Sequence, residues 1–235
     1  MNAYFVTGTN TDAGKTLAAS ALLCAARQQG LSTLGLKPVA SGSDATPEGL
    51  RNADALALQA QSAPAVSYET VNPYAFAPAI APHLAAMEAG CTLGVDGLAT
   101  TIEQTFSHHS RDFYLIEGAG GWRVPLNEGE DFADLAARLN TPVILTVGLT
   151  LGCLNHARLT AEAIAADGLP LAGWVGSATD AAFAADAPRF RANLELLEAR
   201  LGAPCLGVIP HLDAPSAEAA ARYLSLSRLT LKEPA

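Results

Sequence analysis

Positive charge is scarce in this chain, with 14 Lys and Arg against 23 Asp and Glu in 235 residues and a formal net charge of -9. Such a surface repels a phosphate backbone, and no run of Lys or Arg forms a local basic stripe, so nucleic acid is not an expected partner. Cysteine is also sparse. Cys24, Cys91, Cys153 and Cys205 stand far apart and form neither a paired-thiol motif nor a zinc-ligand spacing, which reads as reduced core thiols. The histidines His83, His108, His109, His156 and His211 offer no helical i, i+4 pair, so a zinc site is not expected. A Gly-x-Ser-x-Gly nucleophile elbow is missing, which removes the basis for covalent hydrolase chemistry. No internal repeat at solenoid spacing is present. The longest apolar tract, around Pro142 to Leu154, is too short and too interrupted by Thr and Gly to span a bilayer. Only three residues precede the first apolar strand, which leaves no room for a cleavable leader. The expectation is a cytoplasmic protein without a membrane segment.

What is there is apolar: half of the residues are hydrophobic and 16% are charged, enough burial to offset chain entropy and form a globular domain. A single domain over residues 1–235 is expected. Short β-rich runs at Tyr4–Thr7, Thr33–Lys37, Phe113–Glu117, Val143–Val147, Leu171–Val175 and Leu206–Ile209 read as buried strands. Ala- and Leu-rich stretches at Lys15–Gln29, Asp54–Gln61, Asn155–Ala166 and Arg189–Leu201 read as helices between them. This alternation implies right-handed crossovers and a mainly parallel sheet covered by helices on both faces. Gly30 falls where a left-handed helix cap is expected, and Thr46-Pro47-Glu48 reads as a helix cap followed by a first-turn proline. The prolines between Asn72 and Pro82 read as a packed loop, and Lys232–Ala235 as a loose tail.

The strongest signal is Gly8-Thr9-Asn10-Thr11-Asp12-Ala13-Gly14-Lys15-Thr16, between the first strand and the first helix. Backbone N–H groups of Asp12, Ala13 and Gly14 at a helix start can face phosphate oxygens; Lys15 can reach the β and γ phosphates, Thr16 can ligate Mg²⁺, and Leu17 follows beside the nucleotide. This makes the fold expectation P-loop NTPase-like. The loop is irregular, because Thr9 occupies the usual first glycine position and Gly8 precedes it.

Two further strand ends carry polar chemistry. Lys37 precedes Pro38, which stops regular pairing, and the small residues to Ser43 leave room for a ligand. Taken by itself, an exposed lysine at a strand end reads as structural. Glu117 closes a strand ahead of Gly118-Ala119-Gly120-Gly121, where an acidic side chain can hold Mg²⁺. Asp54 starts a helix and needs no function on its own. If Asp54 and Glu117 converge to roughly 4 Å, their repulsion of about 1 to 4 kcal/mol favours a cation between them.

With these segments in hand, the chain resembles the dethiobiotin synthetases of biotin biosynthesis. The carriers are the Gly8–Thr16 loop, Lys37-Pro38-Val39-Ala40-Ser41-Gly42, Glu117-Gly118-Ala119-Gly120-Gly121 and Gly152-Cys153-Leu154-Asn155-His156-Ala157. The resemblance implies a reaction that uses ATP and Mg²⁺ to close a ureido ring from carbon dioxide and 7,8-diaminononanoate. It implies that Lys37 and Lys15 are catalytic, and that Thr16, Asp54 and Glu117 hold Mg²⁺. Thr11, Asp12, Lys37 and Ser41 would lie beside the diamine or its carbamate. Gly118, Ala119 and Gly120 would line the nucleotide site, with Ser177, Ala178, Pro210, His211 and Leu212 around the base. It also implies a homodimer in which Gly152, Cys153, Leu154 and Asn155 receive the substrate carboxylate from the second subunit. Two departures stand out. Asp12 is found where Glu is common, and Ser177 where Asn is common, which leaves base selectivity open. Two other readings keep the loop: an amide-forming ligase acting on corrinoid side chains, and a nucleotide switch. The first normally needs a glutaminase region for which 235 residues leave little space. The second commonly carries a further Lys where this chain has Asn10.

Overall fold

The computed structural model describes residues 2–229; the tail Lys232–Ala235 lies outside the described residues. Six strands form one sheet in the spatial order Cys205–Ile209, Leu171–Ser177, Val143–Gly148, Asn2–Gly8, Phe113–Glu117 and Thr33–Leu36. Every neighbouring pair is parallel. The continuous apolar runs of the sequence follow from this arrangement, because parallel strands are covered on both faces and have no solvent side to make polar.

The first strand shows the sorting. Tyr4 and Val6 pack with Leu22 and Leu23 of helix Lys15–Gln28 on one face. Phe5, pointing the other way, packs with Leu98 and Ile102 of helix Val95–His108 and with Phe132 of helix Phe132–Arg138. Period-two alternation alone accounts for this split. Full burial of a leucine such as Leu22 contributes about 1.5–3 kcal/mol. Further along the sheet, Leu145, Val147 and Trp174 pack with Ala157 of helix Cys153–Ala166 and Leu197 of helix Ala187–Arg200. Among the described residues, no helix is long and apolar enough to cross a membrane.

The strand and helix expectations agree with these elements to within two residues at each end. Gly30, at φ 83°, caps the first helix as expected. The Thr46-Pro47-Glu48 reading is corrected. Those residues turn a small antiparallel hairpin that pairs Asp44–Thr46 with Gly49–Arg51, and the Thr46 hydroxyl donates to the Gly49 carbonyl at 2.8 Å. The cap of the next helix, Ala53–Ala60, is Asn52, whose side-chain oxygen accepts from the N–H groups of Asp54 and Ala55. The proline-rich stretch is also more regular than a loop: Tyr74–Ala75 pairs with Val39–Ala40, and Pro82 opens helix Pro82–Glu88 at its first turn.

Candidate functional site

At the C-terminal ends of the central strands lies a cavity of about 750 Å³, lined by Thr11, Asp12, Gly14, Lys15, Thr16, Leu17, Lys37, Ser41, Asp54, Ala119 and Gly120, with a wall of Ala79–Pro82 and Val124. Open parallel sheets present ligands at this edge. A second cavity, about 740 Å³, opens among Asn2, Thr141, Pro142 and Pro170 at the strands' other ends. The lysines and carboxylates converge on the first.

The loop forms as its sequence requires. Gly8 is where Lys15 passes: a Cβ there would lie 2.9 Å from Lys15 Cγ. The displaced glycine of the motif therefore makes room for the lysine stem. Gly14 caps the helix in the left-handed conformation, with φ 84° and no side-chain cap, leaving the first-turn N–H groups for an anion. Asp12 is also left-handed, at φ 60°, a conformation Asp tolerates better than most residues. Lys15 is buried, and its Nζ donates to the Asn10 carbonyl at 3.0 Å. Burial, and then the positive charge of Lys37, lower its pKa to about 8 from 10.5, although Glu117 and Asp54 pull the other way.

Lys37 is the centre of the polar cluster. It lies one residue past its strand and is 4% exposed, so the sequence picture of an exposed lysine is corrected. Its Nζ donates to Glu117 Oε1 at 2.7 Å and to the Gly118 carbonyl at 2.9 Å, and it faces Asp54 Oδ2 at 3.4 Å. Burial pulls the ammonium pKa down, but the two carboxylates outweigh it and the net shift is upward. Glu117 is fully buried and also accepts from the Thr16 hydroxyl at 2.9 Å. Asp54 and Glu117 thus meet on one cation, which in this structure is Lys37.

Glu117 Oε2 is buried without a hydrogen-bond partner. A carboxylate oxygen in that condition, beside a hydroxyl and the half-exposed Asp54 carboxylate, makes a hard-oxygen donor set that suits a magnesium ion. Among the described residues, no three His, Cys, Asp or Glu side chains cluster for a metal. A two-carboxylate site of this kind would leave the other coordination positions to water and phosphate.

Other predicted positions fall outside the cavity lining. Ser177 ends its strand and packs against the loop from behind, so that a Cβ on Gly14 would overlap its hydroxyl. Ala178 donates its N–H to the Ile209 carbonyl, which brings 177–178 beside Pro210, His211 and Leu212. Ala13, within the loop, is buried. Gly152 caps helix Cys153–Ala166 at φ 95°, followed by buried Cys153 and by Leu154 and Asn155, none of which lines the cavity. Sequence reasoning missed Ala79–Pro82 and Val124. The prolines at 78 and 82 marked irregular backbone there, but nothing in the sequence marked a site wall.

An AAA domain family model matches residues 2–219. The chain is 62% identical to an ATP-dependent dethiobiotin synthetase of Chromohalobacter salexigens, over 96% of this chain and 98% of that protein. It is 56% identical to one of Cellvibrio japonicus, over 97% of each. Among solved structures, the MinC:MinD cell division protein complex of Aquifex aeolicus is similar in fold, with a TM-score of 0.58, 14% identity and 94% of each chain covered.

Proposed function

The chain belongs to the dethiobiotin synthetase family, and from that premise we propose that the cluster around Lys37 drives ATP-dependent ring closure of 7,8-diaminononanoate with carbon dioxide to dethiobiotin. The observation that carries this reading is the contact of Lys37 with Glu117 and Asp54 beside the phosphate loop. One substrate amine adds to carbon dioxide and loses a proton, giving a carbamate. A carbamate oxygen attacks the ATP γ-phosphate and ADP departs; the second amine then attacks the carbamate carbon, phosphate leaves and the ring closes.

Negative charge gathers on the carbamate and the transferring phosphoryl, and the two lysines meet it. Lys15 exchanges its Asn10 contact for phosphate oxygens. Lys37 exchanges its longest contact, to Asp54, for the carbamate or phosphoryl oxygen, while Glu117 and the Gly118 carbonyl hold the ammonium in place. This is preorganised electrostatic stabilisation. Thr16, Asp54 and Glu117 would hold Mg²⁺, which would neutralise phosphate charge when bound. Thr11, Asp12 and Ser41 lie along the diamine; Gly118, Ala119, Gly120 and Leu17 flank the nucleotide, and Ala178, Pro210, His211 and Leu212 surround the base. A second copy of the chain, in a homodimer working in the cytoplasm, offers the helix start Gly152–Asn155 to the substrate carboxylate, an anion suited to that position.

The deciding experiment incubates the protein with ATP, Mg²⁺, bicarbonate and 7,8-diaminononanoate and reads dethiobiotin by mass spectrometry. Absence of product from folded protein defeats the reading.

Two predictions follow from particular residues. Lys15 must be charged to attract phosphate, and in the free protein its pKa is about 8. ATP affinity should therefore fall as pH rises above about 8, by about tenfold per pH unit for one linked proton. Calorimetry in buffers of different ionisation enthalpy should show proton uptake on binding; an affinity flat from pH 7 to 9.5 contradicts the assignment. The sign for stability is opposite. The folded pKa lies below the unfolded one, so the cost of burying charged Lys15 is complete below pH 8 and is relieved as pH rises from there toward 10.5.

The second concerns the base. Ser177 packs against Gly14, and a hydroxyl is shorter than an amide, so it reaches a base edge through a bridging water rather than directly. Replacing ATP by GTP or CTP should lower kcat/KM by no more than about tenfold, the worth of one hydrogen bond. A collapse of rate with either nucleotide would contradict this.

A further inference from the structure

Three buried polar side chains that do not line the cavity form one connected set: Asn52, Tyr68 and Asn72 are 6%, 6% and 3% exposed. Chemistry fixes the direction of each bond. The Asn52 backbone N–H can only donate, and it donates to the Tyr68 hydroxyl oxygen at 2.7 Å. The hydroxyl then gives its own proton to Asn72 Oδ1 at 2.8 Å. Asn72 Nδ2 faces two carbonyls that can only accept, Lys37 O at 2.7 Å and Tyr74 O at 3.2 Å. At the other end, Asn52 Nδ2 donates to the carbonyls of Ser41 and Gly42 at 3.3 Å each, while its Oδ1 caps the helix that carries Asp54.

A single phenol thus links three pieces of the site. The 44–51 hairpin separates the Lys37–Ser41 segment from the start of the Asp54 helix in sequence, and these bonds tie the two together where Lys37 approaches Asp54 at 3.4 Å. Arg51 stacks over the Tyr68 ring at 4.2 Å, which restrains the ring as well. Burial raises the phenol pKa, so the hydroxyl keeps the proton it must donate.

We infer that Tyr68, with Asn52 and Asn72, is a positioning device that holds the Lys37 backbone, the Ser41 turn and the start of the Asp54 helix in the relative placement the reaction needs, an inference that rests on the role proposed above for Lys37. It acts through other residues and touches no substrate. The test is Tyr68→Phe, which keeps the ring and removes both hydroxyl bonds, alongside Asn52→Asp, which keeps the helix cap but loses the donors to Ser41 and Gly42. Each variant should lower kcat about tenfold while the ATP dissociation constant stays within about twofold, because a small misplacement of a catalytic group costs rate rather than nucleotide binding. An unchanged kcat in folded Tyr68→Phe overturns the inference, as does a fall in kcat matched by an equal loss of ATP affinity. If Tyr68→Phe does not fold, the same criteria apply to Asn52→Asp.

A second readout does not need turnover. Lys15, Lys37 and Lys232 are the only lysines in the chain, so competitive acylation of amines, read by peptide mass spectrometry, resolves Lys37 against Lys15. Loosening the Lys37 segment should raise that ratio about fivefold or more in Tyr68→Phe, because an amine that is 4% exposed in its held position becomes more accessible to the reagent when that position slackens. An unchanged ratio overturns the inference even if the wild-type protein makes no dethiobiotin, an outcome that would defeat the proposed function separately.

Discussion

Lys37→Ala should lower turnover by about 10²–10³, the loss typical of removing one preorganised donor from developing negative charge, with ATP affinity changed by less than about threefold. The split is expected because the lysine nearest the loop is Lys15, whereas Lys37 reaches the cavity beside Ser41 and Asp54. Steady-state kinetics paired with nucleotide binding by calorimetry measures both quantities. Equal losses in the two would make Lys37 a nucleotide-binding residue. The substitution also has a structural cost. It leaves the fully buried Glu117 carboxylate without its cation, a defect worth about 3–5 kcal/mol when one partner of a buried pair is removed. Lys37→Gln, which keeps a donor near Glu117, should recover part of the stability and little of the rate, separating charge from support.

Gly14→Ala should weaken ATP binding by about 10² or more. Two penalties act together. At φ 84° an L side chain is strained, by about 1–2 kcal/mol. The added Cβ also overlaps the Ser177 hydroxyl, and it would lie 2.9 Å from Ser177 Cβ. A shift of the helix start that relieves that overlap would displace the first-turn N–H groups that Gly14 leaves uncapped. The double variant Gly14→Ala, Ser177→Gly removes the overlap but keeps the strain, so it should restore part of the affinity. Additive effects in that cycle would show that the two residues do not meet. Wild-type affinity in Gly14→Ala would defeat the assignment of the loop itself.

Both predictions show where the sequence was readable. The strand from Tyr4, the glycine loop and the helix from Lys15 form one local unit, each part coded by neighbours within a few residues. The Thr46-Pro47-Glu48 error has the opposite origin. Proline after threonine suits a helix start and a tight turn equally, and the pairing of Asp44–Thr46 with Gly49–Arg51 decided between them. The real cap, Asn52, has the residue type expected of a cap, but the more conspicuous signal of Pro47, five residues earlier, masked it.

The sequence by itself determined a parallel α/β architecture and a phosphate loop, because apolar runs, helix caps and glycine conformations are short-range properties. It did not determine the polar cluster. Lys37 and Glu117 are 80 residues apart, and Thr16 and Glu117 are 101 apart. They meet because the strands Asn2–Gly8 and Thr33–Leu36 both pair in parallel with Phe113–Glu117, setting Val6 beside Glu117 and Leu36 beside Ile116. Strand order and register of this kind are fixed by packing on both faces of the whole sheet. The tertiary structure alone therefore decided that Lys37 is buried between two carboxylates, and that Tyr68, inconspicuous in the sequence, stands behind it.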